Sequence, residues 1–317
     1  MASNQYWAFL GGPNRLRIDS ASSMTSDAAF IGRLIRRLIS AIVMWVIALF
    51  VIFSGNEIIF LLLIGSLGMA GLWEYFQMIE QSGMHCFKAF GMVCGAACFI
   101  GSFLALRTNS QSAAYDFEMF VMLIFLIGVF ARQMFRSTTK YAPLESMAYT
   151  LFGLLYVAWL FNFLTKIVYV IPRPSNGEIM GQFYVLYLII VTKLSDMGAY
   201  LVGSRIGRHR MMPHISPAKT WEGFFGSLVF AVVCSVSLVF LMPTQLARLN
   251  KMHAIILGVV ISATAMVGDL GESIIKRSTG VKDSGSVLPG IGGMLDLIDS
   301  LLFTAPLLFF YLRFLVR

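Results

Sequence analysis

The chain has 317 residues, of which 58% are hydrophobic and only 13% charged, with a net charge of +8. That balance excludes an ordinary soluble globule, where about 25% of residues are charged, and points to a polytopic membrane protein. No basic–aromatic patch accompanies the positive charge, so a nucleic-acid binder is excluded as well; the excess is read as loops facing anionic lipid and anionic substrates.

Residues 1–38 are polar and Arg-bearing and have no early apolar core, which argues against a cleaved signal peptide. They read as a cytosolic tail, with the membrane domain filling residues 39–317. Arg33, Arg36 and Arg37 cluster before the first apolar run. A short amphipathic helix on the lipid surface and a loosely ordered tail both fit them.

Nine apolar segments follow, roughly 39–54, 57–78, 89–106, 118–131, 147–170, 181–204, 221–242, 253–275 and 295–316. Their length and apolarity predict an all-α fold of about nine transmembrane helices, the fourth being the shortest. Neither a repeat of about 20–50 residues nor the inverted symmetry of a transporter is visible. The four cysteines show no pairing pattern. Cys94 and Cys98 stand four apart on one helix face with no third ligand near, so they read as packing residues.

With the N-terminus in the cytoplasm, sixteen of the 24 Lys and Arg lie in inside loops and six outside. This bias predicts N-in, C-out. It also predicts that the Pro289–Gly293 loop faces the cytosol. Asp196, Asp269, Glu272, Asp296 and Asp299 then share one cytosolic depth, while the outer halves of the segments are almost free of charge. A transporter with buried acids along a cation path would spread its carboxylates through the membrane instead. Lys193 and Asp196, three apart, could also simply neutralise each other. Glu74 and Glu80 read as interfacial, and His209 and His214 as solvated.

The stretch Gly268–Ser300 concentrates the chemistry, with five carboxylates (Asp269, Glu272, Asp283, Asp296, Asp299) and three cations (Lys276, Arg277, Lys282). Ionisable groups at membrane depth are costly and mark function by default. Asp296 and Asp299 share a helix face, just after a turn where the helix dipole favours anions. Asp269 ends an apolar helix, where the dipole disfavours an anion, so something positive must compensate it. Paired carboxylates beside cations suit a hard metal ion holding phosphates. The structural alternatives are an ion pair or a helix cap for the acids, and a juxtamembrane charge bias for the cations.

Ser273, Lys276-Arg277, Lys282-Asp283-Ser284-Gly285, Pro289-Gly290, Gly292-Gly293, Leu295-Asp296 and Ile298-Asp299-Ser300 together resemble the signature of the phosphatidate cytidylyltransferase (CDP-diacylglycerol synthase) family. Ser195–Tyr200 and Ser216–Gly223 resemble it too, so the likeness covers roughly Leu194 to Ser300. Ile291 stands where the family has His, and Leu297 where it usually has Arg. The resemblance implies transfer of a cytidylyl group from CTP to phosphatidate held in the bilayer. It implies Asp269, Asp296 and Asp299 as ligands of Mg²⁺, with Mn²⁺ as a substitute; Glu272 stays outside that set. It implies Asp269, Asp296, Lys276, Arg277 and Lys282 as catalytic residues. Asp196, Lys219, Asp283, Ser284, Gly292 and Gly293 would bind substrate. The setting it implies is an integral membrane protein of a bacterial inner membrane or its equivalent, surrounded by membrane lipid, with the site facing the cytoplasm. A homodimer is left open, as is a related CTP-dependent enzyme acting on another lipid phosphate or a polyprenol.

Overall fold

The computed structural model describes residues 39–108, 111–135, 142–171, 180–281, 284–285 and 292–314. Helices dominate because hydrocarbon offers no water to peptide groups, so each segment must satisfy its own backbone. They are α1 (Ile39–Ser54), α2 (Glu57–Gln81), α3 (Lys88–Arg107), α4 (Gln111–Met134), α5 (Pro143–Gly153), α6 (Phe163–Val170), α7 (Gly181–Ile206), α8 (Trp221–Leu241), α9 (Lys251–Ser278) and α10 (Met294–Phe314). A π-helical turn, Leu154–Trp159, joins α5 to α6. Eight spans are long and apolar enough to cross a membrane, α5 to α6 counting as one, and α1 is a shorter apolar helix. The chain is an all-α, polytopic integral membrane protein.

Side chains start several of these helices. Asn56 Oδ1 accepts the Ile58 and Ile59 N–H groups at the head of α2 (2.9 and 3.3 Å). Asn250 Oδ1 accepts the His253 N–H at the head of α9 (2.9 Å). Thr220 Oγ1 accepts the Gly223 N–H at the head of α8 (3.2 Å). Thr220 also ends the one hairpin among the described residues, β1 (Arg210–Met212) paired antiparallel with β2 (Ser216–Thr220). His209, expected to be solvated, is exposed but paired: its Nδ1 lies 2.6 Å from Glu222 Oε1.

The span from α5 to α6 is 72% buried over its most apolar window and α10 61%, against 28% for α4 and for α8. The first two therefore form the centre, and α4 and α8 lie on the periphery. Around α10 the chain packs as a series: α7 on α8, α8 on α9, α9 on α10. Gly268 lets α9 and α10 approach closely, since a Cβ there would meet the Asp299 carbonyl oxygen at 2.7 Å and Ser300 Cα at 3.0 Å. The bare backbone of α9 thus touches α10 just where Asp269 and Asp299 stand.

The fourth segment is longer than its apolar core suggests, because its first turns are polar. Glu118 there is buried, 2.6 Å from Lys166 Nζ, and accepts from Ser102 Oγ and Asn162 Nδ2. This pair lies at the end of the bundle opposite the other buried acids: Arg313, at the far end of α10 from Asp296, reaches Tyr115, and Lys166 stands 5.5 Å from that same ring. The expectation that one half of the membrane domain is almost free of charge is therefore corrected. A fully partnered ion pair is tolerated there, whereas a lone charge would not be.

Candidate active site

The four helices α2, α7, α9 and α10 bring charged groups to one end of the bundle. Asp269 and Glu272, one turn apart on α9, meet Asp299 from the first turns of α10. One carboxylate oxygen of each lies within 4.8 Å of the others. Glu272 and Asp299 are buried, and Asp269 is half-buried. Glu272 Oε1 is buried without a hydrogen-bond partner, a cost that a bound cation would remove. An all-oxygen donor set with an orphaned oxygen fits a hard divalent ion such as Mg²⁺.

The expected metal set and this geometric group differ at one position. Asp296 does not join the trio; its Oδ1 lies 2.5 Å from Lys276 Nζ and its Oδ2 accepts the Gly293 N–H at 2.9 Å. It thus makes both contacts of the structural alternative, an ion pair and a helix cap. Glu272, left out of the expected set, takes the third place, and its Oε2 also lies 3.0 Å from Lys276.

Lys219, carried by β2, reaches Asp269 Oδ2 at 2.7 Å, without a well-directed hydrogen bond. This supplies the positive charge that Asp269 needs near a helix C-terminus. Asp196 accepts from Ser300 Oγ at 3.5 Å and lies 3.8 Å from Lys193 Nζ, so the mutual neutralisation is real but loose. Arg277 turns away from the trio: its Nε donates to the Ile215 carbonyl in the hairpin. Lys282 and Asp283, as well as Ile291, lie outside the described residues.

Glu74 corrects another expectation. It is not interfacial but 1% exposed, set against Ser284, Gly285, Gly293 and Leu295. Its Oε2 accepts the Leu295 N–H at 2.8 Å and lies 3.4 Å from Ser284 Oγ. A Cβ on Gly293 would meet this same oxygen at 2.6 Å, and one on Gly285 would strike Oε1. Gly292 has φ 121°, a region that side chains disfavour, and a Cβ there would press on Asp296 Oδ2 at 2.8 Å. Of the residues expected to bind substrate, Ser284 and Gly293 here pack against Glu74, and Gly292 against Asp296.

Tyr156 was missed from sequence. It sits on the π-helical turn, a feature frequent at functional sites; its hydroxyl is buried without a partner, within the influence of Asp299, Glu272 and Asp269. Only the fold points an aromatic of the fifth segment at acids on the eighth and ninth.

Two cavities flank the carboxylates. A polar one of about 450 Å³ is lined by Asp196, Ser216, Lys219, Thr220, Ser262 and Asp269, among others. Ser262 is held in it by Ser195 and Ser227, at 2.8 and 2.9 Å. This size and lining suit a phosphorylated small molecule. The second cavity is apolar and opens along α1.

Comparison with known proteins places nearly the whole membrane domain in a family. The profile of the Cytidylyltransferase family matches residues 35–315. The phosphatidate cytidylyltransferase of Haemophilus influenzae is 31% identical over 293 residues, covering 89% of this chain and 99% of that protein. That of Bacillus subtilis is 28% identical over 278 residues, covering 87% and 97%. The uncharacterised protein YnbB of Escherichia coli is 38% identical over 165 residues, about half of either chain. With a family profile matched along nearly its whole membrane domain, and Asp269, Glu272, Lys276, Asp296 and Asp299 gathered at one end of the bundle, the chain belongs to the cytidylyltransferase family.

Proposed function

We propose that the protein transfers a cytidylyl group from CTP to phosphatidate, giving CDP-diacylglycerol and pyrophosphate. The observation that carries this reading is the trio Asp269, Glu272 and Asp299, set within 4.8 Å beside a polar cavity walled by Lys219. The names of the full-length relatives supply the lipid substrate.

A phosphate oxygen of phosphatidate attacks the α-phosphorus of CTP in line, and the bond from that phosphorus to the α,β-bridging oxygen breaks. The attacking oxygen is already anionic at pH 7, so no strong general base is required. Catalysis is then positioning plus neutralisation of charge. Asp269, Glu272 and Asp299 would hold Mg²⁺, with Mn²⁺ as a substitute, and the ion would supply counter-charge to the phosphates. Lys219 stands in the wall of the polar cavity, placed to neutralise nucleotide phosphates. Lys276 holds Glu272 and Asp296 in register. The site end of the bundle faces the cytosol, where CTP is found, with N-in, C-out as the positive-inside bias requires.

The test is turnover of radiolabelled CTP by purified protein with phosphatidate in detergent. Formation of CDP-diacylglycerol is expected. Turnover with a polyprenyl phosphate but none with phosphatidate would assign the chain to a different lipid substrate.

A further inference from the structure

The second cavity, about 630 Å³, lies on the other side of α7 and α10 from the polar one. Lys193 and Asp196 mark the two sides: Lys193 lines the apolar cavity and Asp196 the polar one, 3.8 Å apart. Apart from Lys193 and Asp296, which form one end, the lining of this cavity is wholly apolar. Its outer wall is α1. Ala41, Met44, Trp45 and Ala48 recur at helical spacing and turn one face to the cavity. On the other face of the helix Val46 is 59% and Phe50 65% exposed. Two of the four inward positions, Ala41 and Ala48, are small, so α1 covers this groove without filling it. Leu297 and Leu301 of α10 form part of its floor.

We infer that this groove holds the acyl chains of the phosphatidate substrate, with the lipid phosphate emerging at Lys193 beside the carboxylates. The inference rests on the phosphatidate reading above. Three features select this occupant. The groove is apolar along its length, which suits hydrocarbon. Its polar end carries a cation, whose Nζ donates to the Leu297 carbonyl at 3.0 Å and leaves donors for an anion. That end is only the width of α7 away from the cavity fitted to the nucleotide. The two substrates thus approach the carboxylates from opposite sides, one from water and one from lipid.

Two measurements on the full chain test this. The first compares dihexanoyl- and dioleoyl-phosphatidate for wild type, Ala48→Trp and Val46→Trp, reading KM for the lipid and for CTP. Ala48→Trp fills the groove and should raise KM for dioleoyl-phosphatidate at least ~10-fold relative to the dihexanoyl lipid, leaving KM for CTP unchanged. Val46→Trp, on the outward face, should match wild type. Equal constants for Ala48→Trp and wild type on both lipids would overturn the groove while leaving the activity itself standing. The second uses phosphatidate with a photoactivatable diazirine in its acyl chain, without CTP. Labelling should concentrate on residues 41–48 and 297–301 and fall in the presence of excess unlabelled phosphatidate. Label spread over the outward helix faces would overturn the proposal, and this readout stands even if Ala48→Trp does not fold. A wild-type protein labelled in the groove but inactive with CTP would sink the assigned reaction and keep the lipid site.

Discussion

Lys276 Nζ stands 2.5 Å from Asp296 Oδ1, tying the last turns of α9 to the first turn of α10. The same ammonium lies 3.0 Å from Glu272. One cation thereby bridges Asp296, which the Gly293 N–H also orients, and Glu272 of the trio.

The trio makes the first prediction. EDTA should abolish activity, and Mg²⁺ or Mn²⁺ should restore it, because both favour oxygen ligands. Asp269→Asn, Asp299→Asn and Glu272→Gln keep size and lose charge; each should lower kcat by at least ~10²-fold, about 2.7 kcal/mol. Sequence alone leaves Glu272 outside the metal set and expects a smaller loss from Glu272→Gln; its place within 4.8 Å of the other two reverses that. Full activity in EDTA would refute the metal mechanism.

Asp296 and Lys276 should behave as a unit. Asp296→Asn is expected to cost ~10²-fold in kcat, as is Lys276→Met, but the double variant should lose little more than either single one. A coupling free energy of about 1–3 kcal/mol from the double-mutant cycle is the expected result. Additive losses would show that the two act separately.

Glu74 is expected to act on stability before chemistry. Removing it in Glu74→Ala orphans the buried Leu295 N–H, at about 1–3 kcal/mol. Thermal unfolding in detergent should fall accordingly. Gly293→Ala, whose Cβ would meet Glu74 Oε2 at 2.6 Å and crowd Ser284 Oγ, should lower both stability and turnover by disturbing the same contacts. An unchanged unfolding temperature in both variants would remove Glu74 from this role.

Orientation can be read with added cysteines. All four native cysteines are buried, and burial pushes the Cys86 thiol, between α2 and α3, up to about 12, so it stays protonated and unreactive at neutral pH. Background labelling by a membrane-impermeant maleimide should therefore be low. Ser278→Cys, exposed at the site end of α9, should react only from the cytosolic side; Thr244→Cys, exposed between α8 and α9, only from the opposite side. The reverse pattern would invert the topology.

Of the two departures from the family signature, Leu297 lies within the described residues and Ile291 outside them. The family resemblance by itself implies that Ile291→His with Leu297→Arg would lower the apparent KM for CTP. Leu297 lines the apolar cavity next to Lys193. Leu297→Arg should therefore lower KM for phosphatidate more than KM for CTP, by adding a second cation at the polar end of the groove. A change confined to CTP would place that side chain on the nucleotide side instead.

Much of this protein was legible in its residues. Apolar runs long enough to cross a bilayer specify helices whatever their neighbours, since each helix satisfies its own backbone; eight of the nine expected segments have that length here. The clustering of Asp269, Asp296 and Asp299 in one stretch, Gly268–Ser300, pointed to a candidate site for a similarly local reason: charges at membrane depth are too costly to be incidental. Which carboxylates face one another was not legible. Glu272 joins the trio and Asp296 leaves it because Gly268 lets two backbones touch and Lys276 reaches across to α10, contacts between residues about 20–30 positions apart. Glu74, more than 200 residues from Leu295, and Glu118, matched to Lys166 across three helices, looked interfacial or went unnoticed, because a carboxylate's burial depends on the partner that packing supplies. Ala41, Met44, Trp45 and Ala48 read only as part of a membrane segment until folding set their face against an apolar groove. Composition and period are properties of a single segment and can be read from it; pairing and cavities exist only between segments, and the tertiary structure alone decides them.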